Sequence, residues 1–299
     1  MTNPSKNGSG SRFEHYPSGA SVADLIEARF GLPSQPGRAI RADSPNAATV
    51  AGMLSRRSMR RFTPEPVAPE TLDIALAAAL SSPAKSDLQQ ASIIMVKEPG
   101  LRASINALVP SMPWIANAPE FLVFCGDNRR MRRIAELRGK PFPNDTLDMF
   151  MNSAVDAGIV MQAFITASES LGLAVCPISL IRNQVERASE LLRLPQGVFL
   201  VAGMCVGYPN DGGRLSMRLP PSITVHTDHY DASEFDAELA AYDARRAERE
   251  PTSPDKQRLA EQYGRADPYT WSEDKARQYC VPERHNFGPY VRARGFALK

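Results

Sequence analysis

The chain has 299 residues, 43% of them hydrophobic, enough for a full core in one large domain or two small ones. Its 35 basic and 33 acidic residues leave a formal net charge of +2. That balance argues against a dedicated nucleic-acid binder, where a strong basic excess is expected.

Residues 1–20 are rich in Ser, Gly, Asn and Pro and read as a mobile arm. Ala20 to Phe30 has helical periodicity and is stopped by Gly31 and Pro33. A Pro/Gly/Ser-rich connector, about residues 32–46, leads into a helix ending near Ser58. Residues 1–46 are therefore set apart as a partly flexible N-terminal extension, and 47–299 read as one folded domain that includes the tail. Pro69 to Leu80 is predicted helical, with Pro69 in its first turn and Leu72, Ala75, Leu76 and Ala79 on one face.

Four short segments read as buried strands: Ser92–Val96, Phe121–Cys125, Leu173–Ile178 and Phe199–Val206. The longest apolar run, Phe199 to Cys205, is too short to cross a membrane, so no membrane contact is expected. A long helix is predicted from about Asp145 to Leu171, with Val155, Ile159, Gln162, Ala163 and Thr166 at helical spacing and Gly172 as its terminating glycine. A shorter helix follows from Asn183 to Leu192. Strands separated by helices imply a layered α/β or α+β fold covered on both faces.

The tail after Tyr230 is different. Ser233 to Arg249 reads as a charged, weakly amphipathic helix, and Trp271 to Tyr279 as another helical stretch. So long a tail with so little core of its own is expected to pack against something, a partner subunit being the simplest candidate. Cys125, Cys176, Cys205 and Cys280 are widely spaced and read as free thiols rather than a disulfide framework or zinc site. His226 and His229 have no matching ligand cluster, so no metal is expected. With no apolar signal core at the N-terminus, the protein is expected to be cytoplasmic.

The most informative stretch is Ser55-Arg56-Arg57-Ser58-Met59-Arg60-Arg61-Phe62, with four arginines and two serines within seven positions beside a helix. Arg grips phosphate through two parallel N–H bonds and Ser adds a hydroxyl donor, so the cluster fits a doubly charged anion. Read alone, the same run also fits a solvated helix face. A polar loop, Ser81 to Gln90, precedes the first strand, and loops at strand ends are where ligands dock on layered folds. After the last strand, Arg214-Leu215-Ser216-Met217-Arg218-Leu219-Pro220 offers Arg218 as a second phosphate ligand.

Taken in order, these pieces resemble the FMN-dependent nitroreductase family, and most closely its NADPH-using nitroreductase and flavin reductase subgroup. The matching stretches are Arg57-Ser58-Met59-Arg60-Arg61-Phe62-Thr63, Leu88-Gln89, Ala118 to Cys125, Ala167 to Leu173, Ile181-Arg182-Asn183, Leu191 to Pro195, Val206-Gly207-Tyr208-Pro209 and Arg218-Leu219-Pro220. The resemblance implies an α+β three-layer fold: a central, mostly antiparallel sheet flanked by helices, with an extended C-terminal tail packing on a dimer partner. It implies that Arg57, Ser58 and Arg60 contact the FMN phosphate and ribityl chain, joined by Arg218. Ser86, Asp87 and Gln89 fall on the loop along the flavin, and Pro177, Ile178 and Ser179 near its reactive edge. Asp148 matches an acid near the substrate pocket, Arg284 a basic residue at its mouth, and Arg246 a basic residue implicated in NADPH binding. Asp148 also reads as an ordinary helix-dipole acid, and Arg284 beside Glu283 as a surface ion pair.

Ser216 stands where the subgroup commonly has Lys, and Arg56, where it often has His, is a candidate replacement cation. Ser179 and Leu180 replace an expected glycine pair, and Asp87 replaces an aromatic residue. The chemistry implied is hydride transfer from NADPH to the flavin N5 and on to a nitroaromatic, quinone or flavin acceptor. It would show ping-pong kinetics and need no protein nucleophile. The alternatives are a same-fold enzyme of ene or dehalogenating reduction, and a non-catalytic flavin-binding protein.

Overall fold

A computed structural model describes residues 16, 17 and 19–297. Most of the expected mobile arm, residues 1–15 and 18, lies outside the described residues. In chain order the elements are α1 (Val22–Phe30), α2 (Ala48–Ser55), α3 (Pro69–Leu80), β1 (Ala91–Met95), α4 (Pro99–Ala107), β2 (Glu120–Asp127), α5 (Arg129–Leu137), α6 (Leu147–Ser170), β3 (Ala174–Ile178), α7 (Val185–Leu191) and β4 (Val198–Gly207). The tail adds α8 (Pro221–Thr224), α9 (Phe235–Arg249), α10 (Ala260–Tyr263), α11 (Trp271–Tyr279) and α12 (Phe287–Ala293). These residues form two compact units. One comprises Ser58–Gly213 and the stretch from Asn286 onward; the other comprises Tyr16–Arg57 and Arg214–His285.

The first unit is built on a four-stranded sheet of order β1-β2-β4-β3, antiparallel at every pairing. The period-2 alternation of a strand sorts β2 cleanly. Phe121, Val123 and Cys125 enter one core, Leu122 and Phe124 the other. α3 and α6 cover the second face with Leu72, Ala75, Ala157, Val160 and Phe164. The first face is covered by Ile105 of α4, Val185 and Ala188 of α7, and Tyr290 and Val291 of α12. This is the expected α+β arrangement of three layers. Phe296, near the chain's end, is buried against Phe150 and Phe199, with ring centroids 5.8 and 5.5 Å away. The last stretch of the tail therefore packs on its own sheet.

α6 is long and apolar enough to cross a membrane by length and composition. It nevertheless lies against all four strands and buries Ser153, Asp156 and Ser168 on its inward face. Polar side chains buried against a sheet mark a core helix rather than a lipid-facing one. Its inward stripe is Met149, Ser153, Asp156, Ala157, Val160 and Phe164. The stripe singled out from sequence lies elsewhere on the helix, for Val155 and Gln162 are exposed. Gly172 adopts φ +80° just past the helix end, as its position predicted.

In the second unit, α1 opens on a reciprocal capping box between Ser21 and Asp24 and ends at Gly31, whose φ is +70°. The Tyr16 hydroxyl donates to the Ala42 carbonyl at 2.8 Å, fixing the start of the described chain. Leu25, Ala42 and Ala51 form a small core. The tail helices have a core as well. Tyr242 and Trp271 meet edge-to-face at 5.5 Å, and the buried carboxylate of Asp243 accepts the Ser272 amide at 3.0 Å. Arg277, also buried, pairs with Glu273 at 2.6 Å.

Candidate functional site

α2 stops at Ser55, and Arg56 turns the chain extended at φ −62°, ψ 144°. Arg57 Nη1 donates back to the Ser55 carbonyl at 3.0 Å. The chain then runs along the outer edge of β3. Met59 N–H reaches the Val175 carbonyl at 3.1 Å, Thr63 N–H reaches Tyr208 at 2.9 Å, and Phe62 bridges to Pro209. Met59 and Phe62 are buried, so Ser58 is left half-buried and Arg60 exposed. Arg61 pairs with Asp211 at 3.3 Å, whereas Arg60 has no ion-pair partner among the described residues. Pro177, Ile178 and Ser179 close this same edge, with Ile178 buried and Ser179 exposed at the start of a 3-10 turn.

Arg218 sits in the second unit with its guanidinium exposed, making only 3.4 Å approaches to the Ser216 and Met217 carbonyls. Its segment is firmly held. Met217 is buried, its N–H donates to Glu250 Oε1 at 2.8 Å, and its carbonyl accepts from Arg246 Nη1 at 3.2 Å. Arg246 also donates to the Tyr242 hydroxyl at 2.6 Å and pairs with Glu250 at 3.3 Å. Those bonds make Arg246, expected to meet NADPH, a brace for the segment carrying Arg218. Arg284 has a positive φ of 53° and pairs with Glu283 at 3.0 Å.

The loop before β1 is strained. Ser86, Asp87 and Gln89 have φ of +50°, +59° and +51°, a region costing a non-glycine residue roughly 1–2 kcal/mol. Asp156, reaching up from α6, accepts the N–H groups of Lys85 and Gln90, both at 3.1 Å, and offsets that cost. Arg130 donates to the Gln89 and Ala91 carbonyls and pairs with Asp127 at 3.0 Å. Asp87 Oδ1 accepts from Gln89 Nε2 at 3.0 Å. Beneath the loop, Gln90 is fully buried and donates to Ser153 Oγ at 3.1 Å. Sequence reasoning passed over Asp156 and Arg130. The available signal was a carboxylate inside an otherwise apolar helical run, since buried acids occur almost only where they are paired.

Two cavities flank this loop. Ser86 and Asp148 line one of about 550 Å³ with Lys85 and Asn152, and Asp148 also accepts from Asn152 Nδ2 at 2.9 Å. Gln89, Asp156 and Arg130 line the other, of about 420 Å³. Neither is lined by Pro177, Ile178 or Ser179. β1 and β3 form opposite edges of the sheet, three strand spacings or about 14 Å apart. Neither of these two cavities therefore joins the two groups of candidate residues.

Burial pushes the Cys125 thiol up to about 12, with Asp127 adding to the shift, and burial raises Cys205 as well. Among the described residues no group of three or more His, Cys, Asp or Glu side chains is placed to hold a metal.

The Nitroreductase family pattern matches residues 53–208, and that family's C-terminal domain matches residues 216–299. An FMN reductase [NAD(P)H] of Bacillus subtilis is 35% identical over 202 residues, 67% of this chain and 81% of its own. An oxygen-insensitive NADPH nitroreductase of Salmonella typhimurium is 33% identical over 254 residues, 84% of this chain and 99% of its own. The solved structure of B. megaterium NfrA2 superposes with a TM-score of 0.75 at 31% identity, covering 84% of this chain and 98% of that one. Sheet, flanking helices and sequence pattern agree, and the chain belongs to the nitroreductase family.

Proposed function

We propose that this protein is an FMN-dependent oxidoreductase that takes hydride from NADPH and delivers it to a small-molecule acceptor. The observation that supports the reading is a pair of arginine-bearing segments on a nitroreductase fold. Arg56 and Arg57 follow one helix end, and Arg218 lies on a braced loop with its guanidinium open to solvent. Guanidinium and hydroxyl donors are the chemistry a phosphate ester requires, so the residues present fit FMN. When bound, FMN supplies the hydride-accepting and hydride-donating centre at N5. Arg57 and Arg218, both in the second unit, would hold the phosphate, and Ser58 and Arg60, which follow Arg57 along the chain, are further donors of the same chemistry. The Ser86–Gln89 loop and the Pro177–Ser179 turn would border the ring, and Asp148 would set charge near the acceptor.

The placement of these groups on opposite sheet edges supports a homodimer. In two copies, the β1-edge loop of one chain meets the β3 edge of the other, and each site draws on both. Leu147, Met151 and Val155 on α6, with Ile74 and Leu80 on α3, are exposed apolar side chains suited to that contact. The free thiols fit a reducing compartment, the cytoplasm.

The test is an anaerobic titration of the flavin-loaded protein with NADPH and then NADH, followed by a panel of nitroaromatic, quinone and free-flavin acceptors. Rapid loss of the oxidised flavin band with NADPH, and its return on adding acceptor, is the expected result. Parallel lines in double-reciprocal plots would establish the ping-pong order. A flavin-loaded protein that neither nucleotide bleaches would instead be a binding protein. Failure to take up FMN at all would end the phosphate reading.

A further inference from the structure

Ser216 stands where the family resemblance leads one to expect a cation, and its main-chain carbonyl is held by an arginine of the N-terminal extension. Arg29, in the last turn of α1, is only 5% exposed. Its Nε and Nη2 donate to the Leu54 carbonyl at 2.8 and 2.6 Å, and Nη2 also donates to the Arg56 carbonyl at 2.5 Å. Its Nη1 donates to the Ser216 carbonyl at 3.0 Å. The main chain reciprocates, since the Arg218 N–H donates to the Arg29 carbonyl at 2.9 Å. One residue beyond the helix, Gly31 takes the left-handed backbone that glycine allows. Its φ is +70°, and it packs against the Met217 side chain.

Leu54 and Arg56 lie at the C-terminal end of α2, where helix carbonyls lack intrahelical donors and a cation is favoured. A guanidinium is suited to the task because its planar fork carries five donors in fixed directions. Arg29 therefore ties residues 54–56 to 216–218, which are the two segments bearing Arg56, Arg57 and Arg218.

We infer that Arg29 is a positioning residue for phosphate recognition, and that the N-terminal extension is by this means a working part of the FMN site. Arg29 sets the spacing and direction of the segments whose side chains meet the phosphate. This rests on the phosphate reading of Arg218 given above.

The experiment compares FMN with riboflavin, which lacks the phosphate, binding to full-length protein stripped of flavin. Thermal unfolding is recorded alongside. Arg29→Ala is expected to weaken FMN binding about tenfold or more, some 1.4 kcal/mol, while riboflavin binding stays within about twofold. Arg29→Lys should fall between, because one ammonium on a flexible stem cannot hold all three carbonyls in place. Arg218→Ala is the control and should also be selective for FMN. Equal losses for FMN and riboflavin in both Arg29 variants would reduce Arg29 to a purely structural role. Unchanged FMN affinity in the Arg29 variants beside a selective loss in Arg218→Ala would overturn the inference alone. An unselective Arg218→Ala would overturn the phosphate reading and the inference with it. If Arg29→Ala does not fold, Arg29→Lys decides by the same ratio.

Discussion

The carboxylate of Asp156 lies 3.1 Å from the main-chain nitrogen of Gln90, 66 residues earlier. Its other oxygen lies 3.1 Å from the nitrogen of Lys85, so one buried acid closes both ends of the strained loop that carries Ser86, Asp87 and Gln89. Asp156→Asn would turn one acceptor into a donor facing a donor. The expected loss is about 2 kcal/mol, or roughly 5 °C in Tm. Amide hydrogen exchange should show the opening confined to residues 85–90, and affinity for FMN should fall. Full protection of those amides in the variant would show that Arg130 alone suffices.

Tyr290 ties the last helix to the sheet. Its hydroxyl lies 2.8 Å from Ser189 Oγ and accepts the Leu200 N–H at 3.4 Å. Tyr290→Phe leaves these buried groups short of a partner and should cost about 1–2 kcal/mol by chemical denaturation.

The same phenol gives a pH signature. Burial raises its pKa above 10.0, so the folded state binds the proton more tightly than the unfolded one. The stability it contributes is fully present below the unfolded phenol's value and declines as pH rises through the folded one. Denaturation midpoints should therefore drop more steeply with alkali in the native protein than in Tyr290→Phe.

Thiol chemistry should be selective. Cys125, Cys176 and Cys205 are buried, and only Cys280 is exposed. The native protein should take up one equivalent of a thiol reagent quickly and the rest only on denaturation. Peptide mapping that finds rapid labelling at Cys125 or Cys205 would contradict the core described above.

The proposed homodimer makes a separate demand. Met151→Asp and Val155→Lys place charges on the outward face of α6, where the native side chains are 61% and 48% exposed. Both should shift the protein to monomer by light scattering and lower FMN affinity together. A dimer that survives both changes would move the interface elsewhere.

Much of the architecture is legible in the sequence. The four strands fall within two residues of their predicted limits because their apolar runs are bounded by turn residues. Pro69 and Gly172 set helix ends for backbone reasons that do not depend on tertiary context. The inward face of α6 was not legible. Ser153, Asp156 and Ser168 are polar yet buried, and their partners include main-chain N–H groups that no hydropathy pattern reveals. The loop at Ser86 to Gln89 was legible as polar, but not as left-handed backbone. No residue in it is glycine, and its conformation is imposed by Asp156 from another element. Arg29 was missed for the same reason. Nothing local distinguishes it from a surface arginine closing a helix, and its partners lie 25 to 187 positions away.

That last separation has a consequence for how the protein is made. Ser216 leaves the ribosome 187 residues after Arg29, or roughly 10–40 s later at ordinary synthesis rates. Through that interval the whole Ser58–Gly213 stretch is made while only Tyr16–Arg57 of the second unit is present. The link from Arg29 to Ser216 is thus made only after every residue of the sheet has been synthesised. A ribosome stalled before Arg214 would hold a chain with all four strands made and Arg29 still without its partner at Ser216.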